Sequence, residues 1–139
     1  MSQDPLLLDT CAAIWISDDQ PIAQDAMDAL ERAHSTGEFT YVSPATAWEI
    51  GLLVSRGRLK SPLAPERWFR RLMQAPGLRL AEMPPEVLIA SSFLPGTPPR
   101  DPADRILAAT AREYGYRLMT RDGPLLTYAG QGHLHVIAC

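Results

Sequence analysis

The apolar pattern begins at once: Leu6-Leu7-Leu8 follow Pro5 and stop at Asp9. A short, continuous apolar run of this kind predicts a strand buried on both faces. Thr10 to Ile16 reads as a short helix. Pro21 to Ser35 reads as a second helix, with Ile22, Ala26, Ala29, Leu30 and Ala33 near a 3.6-residue spacing and Gly37 just past its end. Phe39 to Val42 is the next strand. Ser43-Pro44 then opens a helix, with Ser43 as N-cap and Pro44 in the first turn, running through Trp48, Ile50, Leu52 and Leu53 to Gly57. Glu66 to Gln74 is a basic amphipathic helix, Leu78 to Met83 a strand and Pro85 to Phe93 a helix. A Pro/Gly loop spans Leu94 to Pro99. Asp101-Pro102 opens a further helix through Ile106, Leu107 and Ala109 to Gly115. Tyr116 to Met119 is a strand, Gly123–Tyr128 a short helix, and His133 to Ala138 the last strand.

Strands alternating with helices imply a parallel sheet covered on both faces, an α/β fold. Right-handed crossovers leave few topologies for it. No repeat, low-complexity tract or boundary divides the 139 residues, so one domain over 1–139 is expected. Apolar residues at 46% and charged residues at 21% exclude a disordered tail or a coiled coil. No apolar run reaches the roughly 18 residues of a membrane span. The first basic residue is Arg32, so a signal peptide is not expected. Two cysteines, Cys11 and Cys139, make no disulfide framework, which points to a reducing cytoplasm. Cys11, on an apolar helix, is expected in the core, and the terminal Cys139 outside it.

The net charge of −3 hides an uneven layout. Residues 1–55 carry nine acids and one base, whereas residues 56–79 carry seven bases and one acid, Glu66. Arg67, Arg70 and Arg71 lie on the amphipathic helix of that basic segment. Arginine suits forked contacts with phosphates, so the segment is a candidate guide for a nucleic-acid backbone. The alternative is a solvated helix face.

Four acids stand where acids need a reason. Asp9 and Asp122 fall at the carboxyl ends of predicted strands, where parallel sheets bind ligands; each is also placed to cap the helix that follows. Glu49 is the only charge between Pro44 and Ser55, at the edge of an apolar face. Asp104 follows Asp101-Pro102 at the third helical position, where an acid favours the dipole and can reach back to the cap. These acids come from four elements whose ends can converge at one crevice. Four converging carboxylates repel, and Mg²⁺ or Mn²⁺ relieves that repulsion through oxygen ligands. Such a site suits hydrolysis of a phosphodiester.

The stretches LLLDT, SPATAWEIGLLVSRGRL and DPADRILAATAREYGYRLMTRD resemble the PIN domain, specifically the VapC-type toxins of toxin–antitoxin pairs. The resemblance covers essentially the whole chain. It implies a three-layer α/β/α sandwich with about five parallel strands in the order 3-2-1-4-5, setting Asp9 and Asp122 on adjacent strands at the topological switch. It implies Asp9, Glu49, Asp104 and Asp122 as the catalytic and Mg²⁺- or Mn²⁺-binding quartet, with Thr10 and Thr120 lining the site. It further implies a metal-dependent endoribonuclease, held by a cognate antitoxin and usually dimeric. Glu49 either ligates metal or orients the attacking water.

Three rivals follow from the same residues. A phosphoacceptor receiver domain needs a lysine after its last strand, and the one lysine is Lys60. A haloacid-dehalogenase-like phosphatase usually carries Asp-x-Asp, where this chain reads Asp9-Thr10-Cys11. A non-enzymatic binding module would use the acids only as caps. His133 and His135 alternate on the predicted last strand without a third metal ligand nearby in sequence and are read as ordinary strand residues. Trp15, Trp48 and Trp68 are read as core or partner-facing.

Overall fold

The central sheet is built from short, mostly apolar segments of three or four residues, and each of the first four in chain order feeds a helix. A computed structural model describes residues 4–139; residues 1–3 of the expected domain lie outside the described residues. In chain order the elements are β1 (Leu6–Leu8), α1 (Thr10–Ser17), α2 (Gln24–Ser35), β2 (Thr40–Val42), α3 (Pro44–Ser55), α4 (Pro65–Leu72), β3 (Leu78–Leu80), α5 (Pro85–Ala90), α6 (Pro102–Tyr114), β4 (Arg117–Thr120), α7 (Gly123–Gly130) and β5 (Val136–Ala138). The strands form one sheet in the order β3-β2-β1-β4-β5, all pairs parallel. This is the expected order. β1 is central, with Leu8 beside Val42 on one side and Met119 on the other.

Strand alternation divides the core in two. Leu6, Leu8, Val42 and Met119 face a cluster with Ala12 and Ala13 of α1, Ala26 of α2, Ile50 of α3 and Trp68 of α4. Leu7 and Leu118 face the other way, onto Leu107, Ala108 and Ala111 of α6 and Leu125 and Tyr128 of α7. Helices therefore cover both faces, as a three-layer sandwich requires. Of the described residues, no helix is long and apolar enough to cross a membrane.

Local chemistry explains the helix starts that carry the site. The side chains of Asp9, Ser43, Asp101 and Asp122 each accept a backbone N–H in the first turn of α1, α3, α6 and α7. Pro44 and Pro102 pre-set the first turns of α3 and α6. Gly115 ends α6 in the left-handed region, at φ 69°.

Several boundaries differ from expectation. β3 stops at Leu80 rather than Met83: Ala81 still donates to Val42, and Pro84-Pro85 then start α5. α5 ends at Ala90, three residues before Phe93, which is 81% exposed. His133 and His135 precede β5, which begins only at Val136, so they do not share a strand face. Cys11 is exposed and Cys139 buried, the reverse of expectation. Thr10, Ala12 and Ala13 take the inward positions of α1 and turn Cys11 outward, while β5 carries Cys139 under α2, where Ala23 donates to its carbonyl at 3.0 Å.

Candidate active site

The carboxyl end of β1 delivers Asp9 directly into the first turn of α1, and there the carboxylate is 4% exposed. Both its oxygens are held. Oδ1 accepts the Ala12 N–H at 2.7 Å, and Oδ2 accepts the Thr120 hydroxyl at 2.5 Å. Thr120 is the last residue of the neighbouring strand β4, and its Oγ1 also accepts the Asp122 N–H at 3.0 Å. One threonine thus couples the two strand-end acids. Asp122 in turn caps α7 through Oδ2, which accepts the Leu125 N–H at 3.1 Å. Both acids are caps, as the bland alternative holds. Each carboxylate oxygen has a second lone pair, so capping leaves acceptor capacity facing the crevice.

α3 brings Glu49 to the same place. The Thr10 hydroxyl donates to Glu49 Oε1 at 2.5 Å and lies 3.1 Å from the Thr46 hydroxyl. Thr46 is fully buried one helical turn before Glu49. Sequence reasoning did not single out Thr46; its signal was a hydroxyl three positions before an isolated acid, on the same helix face. Asp101 caps α6 by accepting the Asp104 N–H at 3.0 Å. The Asp104 carboxylate does not reach back to close a capping box: among the described residues it accepts no hydrogen bond, and it turns half-buried toward the other acids.

Electrostatics record the convergence. Burial, followed by the charges of Asp122, Asp101, Glu49 and Asp9, pushes the Asp104 carboxyl up to about 8. Burial also raises Asp9, against the lowering effect of the Thr120 and Ala12 hydrogen bonds and with a raising contribution from Asp122. Glu49 is raised by burial, opposed by the Thr10 hydrogen bond and reinforced by Asp101, Asp9 and Asp122. Cys11, on the rim, has its thiol pushed to about 11 by desolvation first and then by all four acids of the quartet. The nearest arginine does not neutralise them. Arg121 lowers Asp9 only weakly, because its guanidinium lies 3.7 Å over the Trp15 ring and donates to the Cys139 carbonyl at 2.7 Å.

The structure therefore gathers Asp9, Glu49, Asp104, Asp122, Thr10 and Thr120. It does not bring Arg67, Arg70 and Arg71 to them. These three are exposed on α4. Arg71 lines a cleft with Ser17 and Asp18, at the far end of α1 from Asp9, and eight helical residues span about 12 Å. Of the tryptophans, Trp68 is buried, Trp15 packs against the core and Trp48 is 48% exposed.

The donor set is all oxygen, acidic and short of positive charge, which fits a hard divalent cation. Among the described residues, no three His, Cys, Asp or Glu side chains are already drawn into a cage around one point. Magnesium does not require one. It keeps several waters and is commonly held through one or two carboxylates.

The PIN domain family profile matches residues 6–130. Ribonuclease VapC22 of Mycobacterium tuberculosis (strain ATCC 25618 / H37Rv) is 32% identical over 124 residues, covering 88% of this chain and 91% of that protein. Among solved structures, the fold is similar to VapBC2 from Rickettsia felis bound to a DNA fragment from their promoter. That match has a TM-score of 0.69 and 13% identity over 96% of this chain and 97% of that one. DNA-bound VapBC from Salmonella typhimurium is similar at a TM-score of 0.66, with 20% identity and 98% of both chains covered.

Proposed function

The chain belongs to the PIN-domain family, and from that premise we propose that it is a metal-dependent endoribonuclease, the toxin of a toxin–antitoxin pair. The observation that carries the reading is the gathering of four carboxylates, three of them raised by burial and mutual repulsion, with no cation paired to them among the described residues. A pure set of helix caps does not need Glu49 or the inward Asp104. The relative named a ribonuclease supports the reaction class. The solved VapBC assemblies support a cognate antitoxin as protein partner. A homodimer, a single domain over 1–139 and action in the cytoplasm complete the proposal.

Asp9, Asp104, Asp122 and Glu49 would hold Mg²⁺ or Mn²⁺. Such an ion supplies charge for the phosphate and leaving oxygen and makes water acidic enough to attack at neutral pH. The chain's own residues set the geometry. Ala12 and Thr120 fix the two oxygens of Asp9, so that carboxylate cannot rotate. The Leu125 N–H fixes one oxygen of Asp122. Thr10 fixes one oxygen of Glu49, leaving the other to orient water or ligate. Attack on phosphorus by water would leave a 5′-phosphate and a 3′-hydroxyl. The test is cleavage of RNA with Mg²⁺, with Mn²⁺ and with EDTA, with the new ends mapped. Ends of that polarity, appearing only with metal, are expected; metal-independent cleavage, or none with any partner-free preparation, defeats the reading.

Arg67, Arg70 and Arg71, remote from the carboxylates, would follow the RNA backbone away from the scissile bond. Neutralising all three should weaken RNA binding with little change in preferred sequence. It should also flatten the log–log salt dependence by roughly 0.7 per lost contact on a single strand. An unchanged slope means that these arginines do not touch phosphate.

A further inference from the structure

The loop between α5 and α6, residues 91–101, ends at the turn that carries Asp101 and Asp104. Groups from two helices pin it. Arg105 of α6 donates from Nε to the Ser91 carbonyl at 2.8 Å and from Nη1 to the Pro99 carbonyl at 3.1 Å, gripping both ends of the loop. The Tyr128 hydroxyl of α7 donates to the Pro95 carbonyl at 2.7 Å in the middle. The Thr97 N–H donates to Gln131 Oε1 at 2.9 Å. Gly96, at φ 70°, fits only because it has no side chain: a Cβ there would lie 2.7 Å from Gln131 Oε1 and from His133 Cδ2. The loop thus ties the start of α6 to α7, the helix that Asp122 caps.

Arg105 is the odd member of this set. It is the fourth residue of α6, in the first turn, where the helix dipole disfavours a cation. It follows Asp104 directly, so about 100° of helical rotation separates the two side chains. Asp104 turns to the acids and Arg105 turns to the loop. Its guanidinium is spent on the Ser91 and Pro99 carbonyls. Two charge-assisted bonds to backbone carbonyls account for a base that helix electrostatics would not place there.

We propose that Arg105 is the positioning residue for Asp104: by pinning both ends of loop 91–101 it sets the first turn of α6 against α7, and so the spacing of Asp104 from Asp122. The inference rests on the metal-nuclease reading above. Losing the grip lets the α6 turn drift, so metal binds more weakly although every ligand is present. Lysine keeps the charge but offers a point donor in place of a fork, so it restores part of the effect.

The experiment is calorimetric titration of Mn²⁺ into the wild-type chain and into Arg105→Ala, Arg105→Lys and Leu72→Ala. Leu72 is buried on α4, in the core on the other side of the sheet, and its truncation loosens the fold without touching the loop. Arg105→Ala should bind Mn²⁺ about tenfold more weakly, in the range of lost outer-shell support, with Arg105→Lys in between. Leu72→Ala should bind like wild type despite a lower Tm. The Mn²⁺ concentration for half-maximal cleavage should move in parallel, with the rate at saturating Mn²⁺ largely recovered. Wild-type affinity in Arg105→Ala overturns the proposal, as does an equal loss in Leu72→Ala. If Arg105→Ala does not fold, Arg105→Lys carries the decision, and wild-type affinity there overturns it. A wild-type chain that binds no Mn²⁺ removes the nuclease reading and this inference together. A wild-type chain that binds, with Arg105 variants that bind as well, removes only the inference.

Discussion

Replacing Asp104 by asparagine should lower RNA cleavage by roughly two orders of magnitude or more, the scale expected when a charged metal ligand becomes a neutral one. The same change should leave the metal-free fold as stable or more stable near pH 8. There the wild-type carboxylate is forced to ionise beside Asp122, Glu49 and Asp9, and asparagine keeps the shape without that repulsion. Asp101→Ala should do the opposite. It removes the acceptor of the Asp104 N–H and should cost about 1 kcal/mol of stability, with cleavage largely retained. The two variants are to be assayed side by side for cleavage and for Tm with and without Mg²⁺. An active Asp104→Asn, or a well-folded but dead Asp101→Ala, means that the wrong carboxylate of this turn has been assigned.

The second large effect is a stability that falls as pH rises. In the unfolded chain Asp104 titrates near its ordinary value of 3.8, and in the folded chain near 8. Between those values the folded state holds a proton that the unfolded state has released. Stability from this group is therefore fully present below about pH 4 and is lost as pH climbs through about 8. Asp9 and Glu49, also raised, act in the same direction. Allowing for solvent screening of a half-exposed carboxylate, the loss between pH 5 and pH 8 should be on the order of 2 kcal/mol. In Tm that is several degrees for a domain of this size. Millimolar Mg²⁺ or Mn²⁺ should recover it at pH 8 by binding the folded state alone. Thermal melts in EDTA at pH 5 and pH 8, then with metal at pH 8, read the effect. A Tm in EDTA that is flat or rising over this interval, with no gain from metal, contradicts a crowded carboxylate site.

How much of this was legible in the sequence depends on the range of the forces concerned. β1 was legible because a strand buried on both faces reads as an unbroken apolar run, and β4, expected over 116–119, lies one residue later at Arg117–Thr120. The α3 and α6 starts were legible because Ser43-Pro44 and Asp101-Pro102 act within one turn. Asp9 and Asp122 stood out as acids at the carboxyl ends of predicted strands, and Glu49 as the lone charge of an apolar helix. What the sequence concealed was set by partners distant along the chain. β3 is trimmed by the edge of the sheet and by Pro84. Cys11 and Cys139 exchange their expected places because α1 rotates one outward and β5 carries the other beneath α2. Thr46 becomes part of the site only when Thr10, 36 residues earlier, arrives beside it. The role of Arg105 depends on Ser91 and Pro99, carbonyls of the loop before it that fold back onto its guanidinium.

The placement of β1 at the centre of the sheet has a consequence for when the site comes into being during synthesis. The bond from Thr120 to Asp9 closes a stretch of 111 residues. β1 cannot pair with β4 until β4 itself has been made, after almost nine-tenths of the chain. Long-range parallel pairing is slow to form, and early segments wait for late ones. A nascent chain that has emerged only as far as α5 carries Asp9 and Glu49 but lacks Asp104, Asp122 and the threonine that holds Asp9 in place. A fragment that ends before Asp122 therefore cannot assemble the four carboxylates, and the site comes together only once β4 and the turn after it have been made.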